Sequence, residues 1–393
     1  MFSHLLRAFR TAVKKCAVNL GGWLVLEPWT TPSLFDNTTL LTNGHLERFQ
    51  SRATATAVLT NHWDTWITET DFAAIRAAGL NHVRLPIGYW AFKVGLGEPY
   101  IQGQLPYLKK AIDWATNYDL KLIIDLHGVT YSFVGAPGSQ NGFDNSGHKV
   151  SDPRWYSNNT NVQRTEAIIK KIADMVKDNP TNVPIIAPLN EPARFISLDA
   201  LAVIRQYWYD SWGKIRFPYG TSQQGNTVEL IHDAFQVRMF SYPSYNGVAM
   251  DTHIYTENQM TQAEHISTVC GKQPSLSNFD KWVIVGEWTP AATDCAKYLN
   301  GRGVGSRYDG SHPVRPVYKS FLRKFWEAQV ISYEKGQGWI QWYKAAFNSA
   351  FTAEIFPMTW KAENTDEWSY QAGLANGWIP SDPIDLIYPS VCG

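Results

Sequence analysis

The stretch VPIIAPLNEP, residues 183–192, changes character along its length. It opens as an apolar run and closes on Asn190 and Glu191. A short apolar run of this kind reads as a strand buried on both faces, as strands of a parallel sheet are. The polar pair then stands where the strand stops.

The same pattern recurs along the chain. VNLGGWLVL (18–26), NHVRLPIG (81–88), KLIIDLHG (121–128), TVELIHDA (227–234), GVAMDTHIY (247–255), KWVIVGEW (281–288) and GWIQW (338–342) are the other apolar segments. Strand two carries Arg84 near its end, and strand three ends at Asp125 and His127. Strand five ends at His232 and Asp233, strand six at His253 and Tyr255, strand seven at Glu287. Between the segments lie ETDFAAIRAAG (69–79), LPYLKKAIDWATNYD (105–119) and TEAIIKKIADMVKDN (165–179), with apolar residues at helical spacing. Strand and helix in alternation predict a parallel sheet. Eight strands with chemistry at one end predict a single-domain α/β (β/α)8 TIM barrel. An open doubly wound sheet would instead gather its polar ends at one switch point.

Composition narrows the function. The 393 residues are 44% hydrophobic and 18% charged, with a formal net charge of zero, as in an ordinary globular enzyme. No basic patch points to nucleic acid, and no apolar run is long enough to cross a bilayer. Seventeen Trp and nineteen Tyr exceed ordinary core needs. Composition alone favours a large core with amphipathic rims over a groove of flat rings for sugar faces. The four cysteines, Cys16, Cys270, Cys295 and Cys392, form no CxxC and adjoin no histidine cluster, so no metal site is expected.

Glu191 and Glu287 carry the chemistry. Two carboxyl groups at the mouths of separate buried strands are what a glycosidase requires. One gives a proton to the leaving oxygen, and the other attacks the anomeric carbon or activates water. Arg84, Tyr255 and a neighbouring imidazole could keep one Glu ionised. A lone Glu after an apolar strand is more often a salt-bridge residue, but two on matched strands with His127, His253 and Arg84 favour catalysis. His62 and His82 read as surface or core histidines.

Longer stretches carry a resemblance. NLGGWLVLEPWTTPSLF (19–35), HWDTWITETDF (62–72), GLNHVRLPIGYWAF (79–92), APGSQNGFDNSG (136–147), IHDAFQ (231–236), GEWTPAATDCAKYLNG (286–301) and EWSYQAGLANGWIP (367–380) resemble glycoside hydrolase family 5, within it the fungal exo-β-1,3-glucanases. The resemblance implies a retaining mechanism, with Glu191 as acid/base and Glu287 as nucleophile. It implies substrate contacts from Arg84, His127, Asn190, His253 and Tyr255. Glu27 would bind hydroxyls of the terminal glucose. Phe143 would form half of an aromatic clamp, beside Asp144 and Asn145. Trp360 would be the floor under the reacting sugar. No metal or cofactor is implied. The expected partner is β-glucan, the expected state a monomer, and the expected location extracellular or in the cell wall.

The chain departs from the family pattern in places. VTYSFVG (129–135) interrupts one matching stretch, and residues 343–358 split another between Trp342 and Thr359. Both are expected to be insertions; gene-model errors are favoured over evolved loops, because the flanks match so cleanly. Residues 1–18 are expected to be a leader or a misassigned start, with the hydrolase domain at 19–393. A family cysteine segment is missing, so the resemblance implies a Cys270–Cys392 disulfide and an orphaned Cys295. Other functions keep a place: a transglucosylase or another β-glucanase on the same fold, a non-catalytic glucan-binding barrel, or an inactive product.

Overall fold

A period of two decides what each strand sends inward. In the computed structural model, which describes residues 14–36, 51–96, 98, 100–128, 155–192, 198–235, 246–256, 260–279, 281–292, 296–298, 316–341, 359–363 and 366–393, eight parallel strands close into a barrel in chain order. They are β1 (Lys15–Asn19), β2 (His82–Gly88), β3 (Lys121–Gly128), β4 (Ile185–Ala187), β5 (Val228–His232), β6 (Val248–His253), β7 (Val283–Glu287) and β8 (Gly338–Gln341). The expected TIM barrel is the observed one.

Ala17, Ile123, Ile185, Ala187, Val228, Leu230, Ala249, Ile284 and Ile340 pack together as one cluster, separate from the larger core between strands and helices. This cluster fills the barrel. Two residues further along their strands, the same inward face carries Asn19, Asp125, His232 and Asp251. The fold therefore places an apolar plug directly beneath a polar layer, and the chemistry sits at the C-terminal rim.

Two ladder irregularities re-aim side chains at that rim. Between β2 and β3, Ile87 pairs with Leu126 but Gly88 pairs with Gly128, which leaves His127 as the extra residue. Between β6 and β7, Thr252 pairs with Val285 but His253 pairs with Glu287, which leaves Gly286 extra. Bulges of this kind redirect the residues beside them. Glycine is required here: a Cβ on Gly286 would lie 1.8 Å from Asp251 Oδ1.

Helices wrap the barrel. They are α1 (Arg52–Thr65), α2 (Glu69–Ala77), α3 (Leu105–Asn117), α4 (Asn159–Val176), α5 (Leu198–Arg216), α6 (Gln262–Cys270), α7 (Gln273–Ser277), α8 (Pro316–Tyr333) and α9 (Tyr370–Asn376). Local signals start them: a Thr68/Asp71 capping box opens α2, and a Thr261/Glu264 box opens α6. Gly377, at φ +82, closes α9 in the left-handed conformation that glycine adopts most readily. No described helix is long and apolar enough to cross a membrane.

The aromatic surplus is mostly core. Ten indoles, among them Trp23, Trp90, Trp155, Trp208, Trp288 and Trp326, are less than 2% exposed. Several send their N–H to a partner, as Trp23 does to the Trp63 carbonyl and Trp326 to Gln341. His62 and His82 are likewise buried core residues.

Strand one corrects the sequence reading. The expected strand at 18–26 lies at Lys15–Asn19 instead, and residues 20–31 form a buried rim segment. Gly22, at φ +70, turns the chain out of the strand. The apolar run was misleading because the rim segment is as buried as the strand. The barrel thus begins at Lys15, ahead of the boundary expected at residue 19. Residues 1–13 lie outside the described part of the chain, as do 129–135 and 343–358.

Barrel closure does not depend on a long β8. Four register pairs, from Lys15↔Gly338 to Val18↔Gln341, join it to β1. The next described residues, Thr359 and Trp360, return to the same edge. Trp360 N–H donates to the Asn19 carbonyl at 2.9 Å, and Thr359 Oγ1 donates to the carbonyls of Asn19 and Gly21 at 3.3 and 3.0 Å. Gln341 and Thr359 therefore both stand on the β1 edge.

The C-terminal segment is tied down on the far side. Cys270 and Cys392 form the expected disulfide. Closing a loop with a sequence separation of 122 residues restricts the unfolded chain by roughly 4–5 kcal/mol in the chain-entropy account. Glu327 adds hydrogen bonds from the backbone N–H groups of Ile387 and Tyr388. Cys16 is a free thiol, and Cys295 lies outside the described residues.

Candidate active site

The polar layer is built around Arg84. It lies within β2, not at the strand's end, and is fully buried. Its Nη1 donates to Glu287 Oε1 at 2.8 Å, and its Nη2 donates to Asn190 Oδ1 at 2.8 Å. Nη2 also stands 3.2 Å from Asp125 and 3.9 Å from Asp251. Burial alone would favour loss of the guanidinium charge, but Asp125, Glu287 and Asp251 outweigh it and hold Arg84 more firmly charged than usual.

Glu287 ends β7 under three donors. Arg84 takes Oε1, while the Tyr255 hydroxyl donates to Oε2 at 2.6 Å and His253 Nδ1 lies 3.1 Å from the same oxygen. Burial works against its ionisation. The charges of His253 and Arg84 prevail, so the carboxyl titrates below the ordinary glutamate range. Burial and the neighbouring Glu287 push the Tyr255 phenol well up, so it remains a donor.

Glu191 follows β4 in a strained turn. Its φ of +40 is a left-handed conformation, which costs a residue with a side chain roughly 1–3 kcal/mol. The turn sends Glu191 Oε1 to His253 Nδ1 at 2.6 Å. Burial, reinforced by the Glu287 charge, raises the Glu191 carboxyl to about 7 against the opposing pull of His253.

His253 therefore touches both carboxyl groups through one nitrogen. The two oxygens lie 2.6 and 3.1 Å from Nδ1, so they are no further apart than those distances laid end to end. That upper bound is short of the ~6.5–9.5 Å between the carboxyl groups of inverting glycosidases and leaves room only for the closer spacing, about 5–5.5 Å, of retaining ones. Asp251 Oδ2 stands 3.4 Å from the other ring nitrogen. Burial disfavours the imidazolium, but Glu287, Asp251 and Glu191 together raise its pKa well above the usual value. A carboxyl that keeps its proton beside one that gives it up can supply an acid and a nucleophile at one pH.

Glu27 arrives from the rim segment after β1. It is fully buried, accepts from Thr30 Oγ1 at 3.2 Å through Oε2, and leaves Oε1 without a protein partner. Burial raises it well above the carboxylate range, so a neutral acid faces the site. His127 is held by Asp125, with Nδ1 at 2.8 Å from Oδ2. Trp360 is only 1% exposed, as buried as Glu191 and Glu287. The structure brings Glu27, Arg84, His127, Asn190, Glu191, His253, Tyr255 and Glu287 to one rim, and it joins Trp360 to that rim through Asn19. Phe143, Asp144 and Asn145 lie outside the described residues.

Sequence reasoning passed over Asp251. The signal was present, since Asp251 is two residues before His253 and shares its inward face. It also missed that Glu191, His232 and His253 gather within metal-ligating distance of one another. These three do not suit a cation. His232 Nδ1 accepts the Ala234 N–H at 2.9 Å, which places the ring proton on Nε2. Neither nitrogen is then open to a metal without breaking that bond.

A closed (β/α)8 barrel with two dissimilar carboxyl groups, one just after β4 and one at the end of β7, is the arrangement of a retaining glycoside hydrolase. Residues 45–299 match the family described as Cellulase (glycosyl hydrolase family 5), and the chain belongs to that family. It is 41% identical to "Glucan 1,3-beta-glucosidase" of Blumeria graminis, over 96% of this chain and 89% of that relative. It is 38% identical to "Probable glucan 1,3-beta-glucosidase A" of Neosartorya fischeri, over 95% of this chain and 89% of that relative. Among solved structures, rutinosidase from Aspergillus niger matches with a TM-score of 0.72 and 19% identity, covering 94% of this chain and 98% of that one. That last likeness speaks to the fold.

Proposed function

We propose that this chain is a retaining exo-β-1,3-glucanase that releases glucose from the non-reducing end of β-1,3-glucan. Glu287 is the nucleophile and Glu191 the acid/base. The observation that carries this reading is His253 Nδ1 within reach of both carboxyl groups, with Glu191 protonated to about 7 and Glu287 ionised.

In the first half-reaction, a Glu287 oxygen attacks the anomeric carbon. Glu191 gives its proton to the glycosidic oxygen as that bond breaks, and a glucosyl ester forms on Glu287. In the second, Glu191 takes a proton from water, the water attacks the same carbon, and Glu287 leaves. Two inversions give net retention. Arg84, Tyr255 and His253 keep Glu287 ionised and oriented, so its charge faces the positive charge that develops at the anomeric carbon. Glu27, a neutral acid with a free oxygen, suits a sugar hydroxyl. Trp360 is read as the floor beneath the reacting ring.

The reading is supported by the relatives' names, by the burial of both carboxyl groups and by the motifs that resemble the family. The Cys270–Cys392 disulfide suits an oxidising compartment, as the cell wall is.

A 2-fluoro-2-deoxyglucoside with a good leaving group should label Glu287 stoichiometrically, read by peptide mass spectrometry. Laminarin should release glucose first seen as the β-anomer. Labelling elsewhere, or α-glucose as first product, would sink the assignment.

The pH profile is a second test. Activity needs Glu287 ionised, so it falls as pH drops through a value below 4.5, the ordinary one for glutamate. It needs Glu191 protonated, so it falls as pH rises through about 7. The expected kcat/KM profile is a bell on the acid side of neutrality. An alkaline limb more than about one unit above neutrality would contradict the acid role of Glu191.

A further inference from the structure

Among the described residues, the last paired residue of β8 is Gln341, and Trp360 lies nineteen positions further on. The described contacts of Trp360 come from β1, α2 and α9.

Several contacts hold Trp360, whose carbonyl accepts from the Gln371 N–H and the Ser369 hydroxyl, each at 3.2 Å. Its backbone N–H meets the Asn19 carbonyl at 2.9 Å. Tyr370, on α9, stacks along one side of the ring, with centroids 5.9 Å apart and planes 24° from parallel. The stack with Tyr370 limits how far the ring can turn but not which edge of the indole bears the N–H, because the terminal torsion of an aromatic side chain is roughly two-fold. The bond from the indole N–H decides it: that group donates to Asp71 Oδ1 at 2.9 Å. Asp71, in the first turn of α2, is 4% exposed. Lys361, the next residue, reaches the same carboxylate at 2.7 and 2.8 Å and the Trp66 carbonyl at 3.1 Å. Thr68 completes the cluster by donating its backbone N–H and hydroxyl to Asp71 Oδ2 at 2.8 and 2.9 Å.

We propose that Asp71 is a positioning residue for the glucosidase reaction: it locks the Trp360 indole from helix α2, so that the floor of the sugar site keeps its orientation. This rests on reading Trp360 as the floor. The carboxylate serves three ends at once. It accepts the indole N–H, is neutralised by Lys361, and closes the helix cap by accepting from Thr68. The platform is thereby tied to residues almost three hundred positions earlier in the chain.

The test separates positioning from capping. Asp71→Ala, Asp71→Asn and Thr68→Ala are compared, with kcat and KM measured on a 4-nitrophenyl β-glucoside and on laminarin, scaled to titrated active sites. Asp71→Ala should lower kcat roughly 10- to 100-fold, the scale of an ångström-sized misplacement at a reacting centre. Asp71→Asn keeps an oxygen for the indole and should recover most of that loss. Thr68→Ala loses its part of the cap but keeps the indole bond; it should melt earlier with kcat unchanged within about twofold. Equal kcat for Asp71→Ala and Thr68→Ala would overturn the proposal. Should Asp71→Ala not fold, Trp360→Phe carries the test, because its ring stacks but cannot donate; an unchanged kcat there is equally fatal. Trp360→Ala guards the underlying reading. If it retains full activity, the floor assignment has failed; if it loses activity while Asp71→Ala does not, the role of Asp71 has failed.

Discussion

Glu287→Ala is expected to lower kcat by about 10⁵-fold, some 7 kcal/mol of transition-state stabilisation. The size follows from its surroundings. Arg84, Tyr255 and His253 all aim at this carboxylate, and none of them can form the glucosyl bond in its place. Alanine leaves a gap on the face opposite the leaving group, lined by the same three donors. A small anion such as azide should occupy it and restore turnover, giving an α-glucosyl azide through a single inversion. Product identity by NMR is the decisive readout. No rescue, or a β-azide, would place the nucleophile elsewhere.

Glu191→Ala should show the complementary signature. On laminarin, loss of the proton donor should cost roughly 10³-fold, within the range of general acid catalysis. A 2,4-dinitrophenyl β-glucoside needs no protonation of its leaving group. Its first half-reaction should proceed almost unchanged while the covalent intermediate accumulates. Azide should now attack that intermediate and yield a β-glucosyl azide. The alkaline limb attributed to Glu191 should also vanish from the first half-reaction. Equal losses on both substrates would show that Glu191 acts in some other way.

Much of this was readable beforehand, for physical reasons. Apolar runs capped by polar residues announce a parallel barrel, because the plug and the rim impose opposite demands on the same strands. Glu191 and Glu287 stood out because each follows such a run. The misplaced β1 came from the same rule: residues 20–26 are apolar and buried, but they belong to the rim. Arg84 shows a related limit, since it lies inside its strand rather than at the end. Burial identifies a core residue without saying whether its backbone is a strand.

Other features depend on three dimensions. Glu287 aims correctly because Gly286 is an extra residue in the ladder, a detail of register. Asp71 looks like an ordinary helix cap in sequence, and only the fold brings Trp360 and Lys361 to it. The Cys270–Cys392 bond came from resemblance, for spacing alone left the pairing open. Closure at strand eight also needed three dimensions: β8 pairs with β1 through Gln341, and Thr359 bonds the same edge.

His253 has a consequence for how such a barrel can diversify. One ring nitrogen acts as a strut between the two carboxyl groups, and a strut fixes a length. Loops around the rim can be lengthened, shortened or interrupted, altering which glycan fits, without moving either end of that strut. Stereochemistry is not free in the same way. To admit a water between the carboxyl groups, the imidazole would have to leave, and with it would go a charge that keeps Glu287 ionised. Substrate range and anomeric outcome are therefore under separate structural control, the first open to drift and the second guarded by a single side chain.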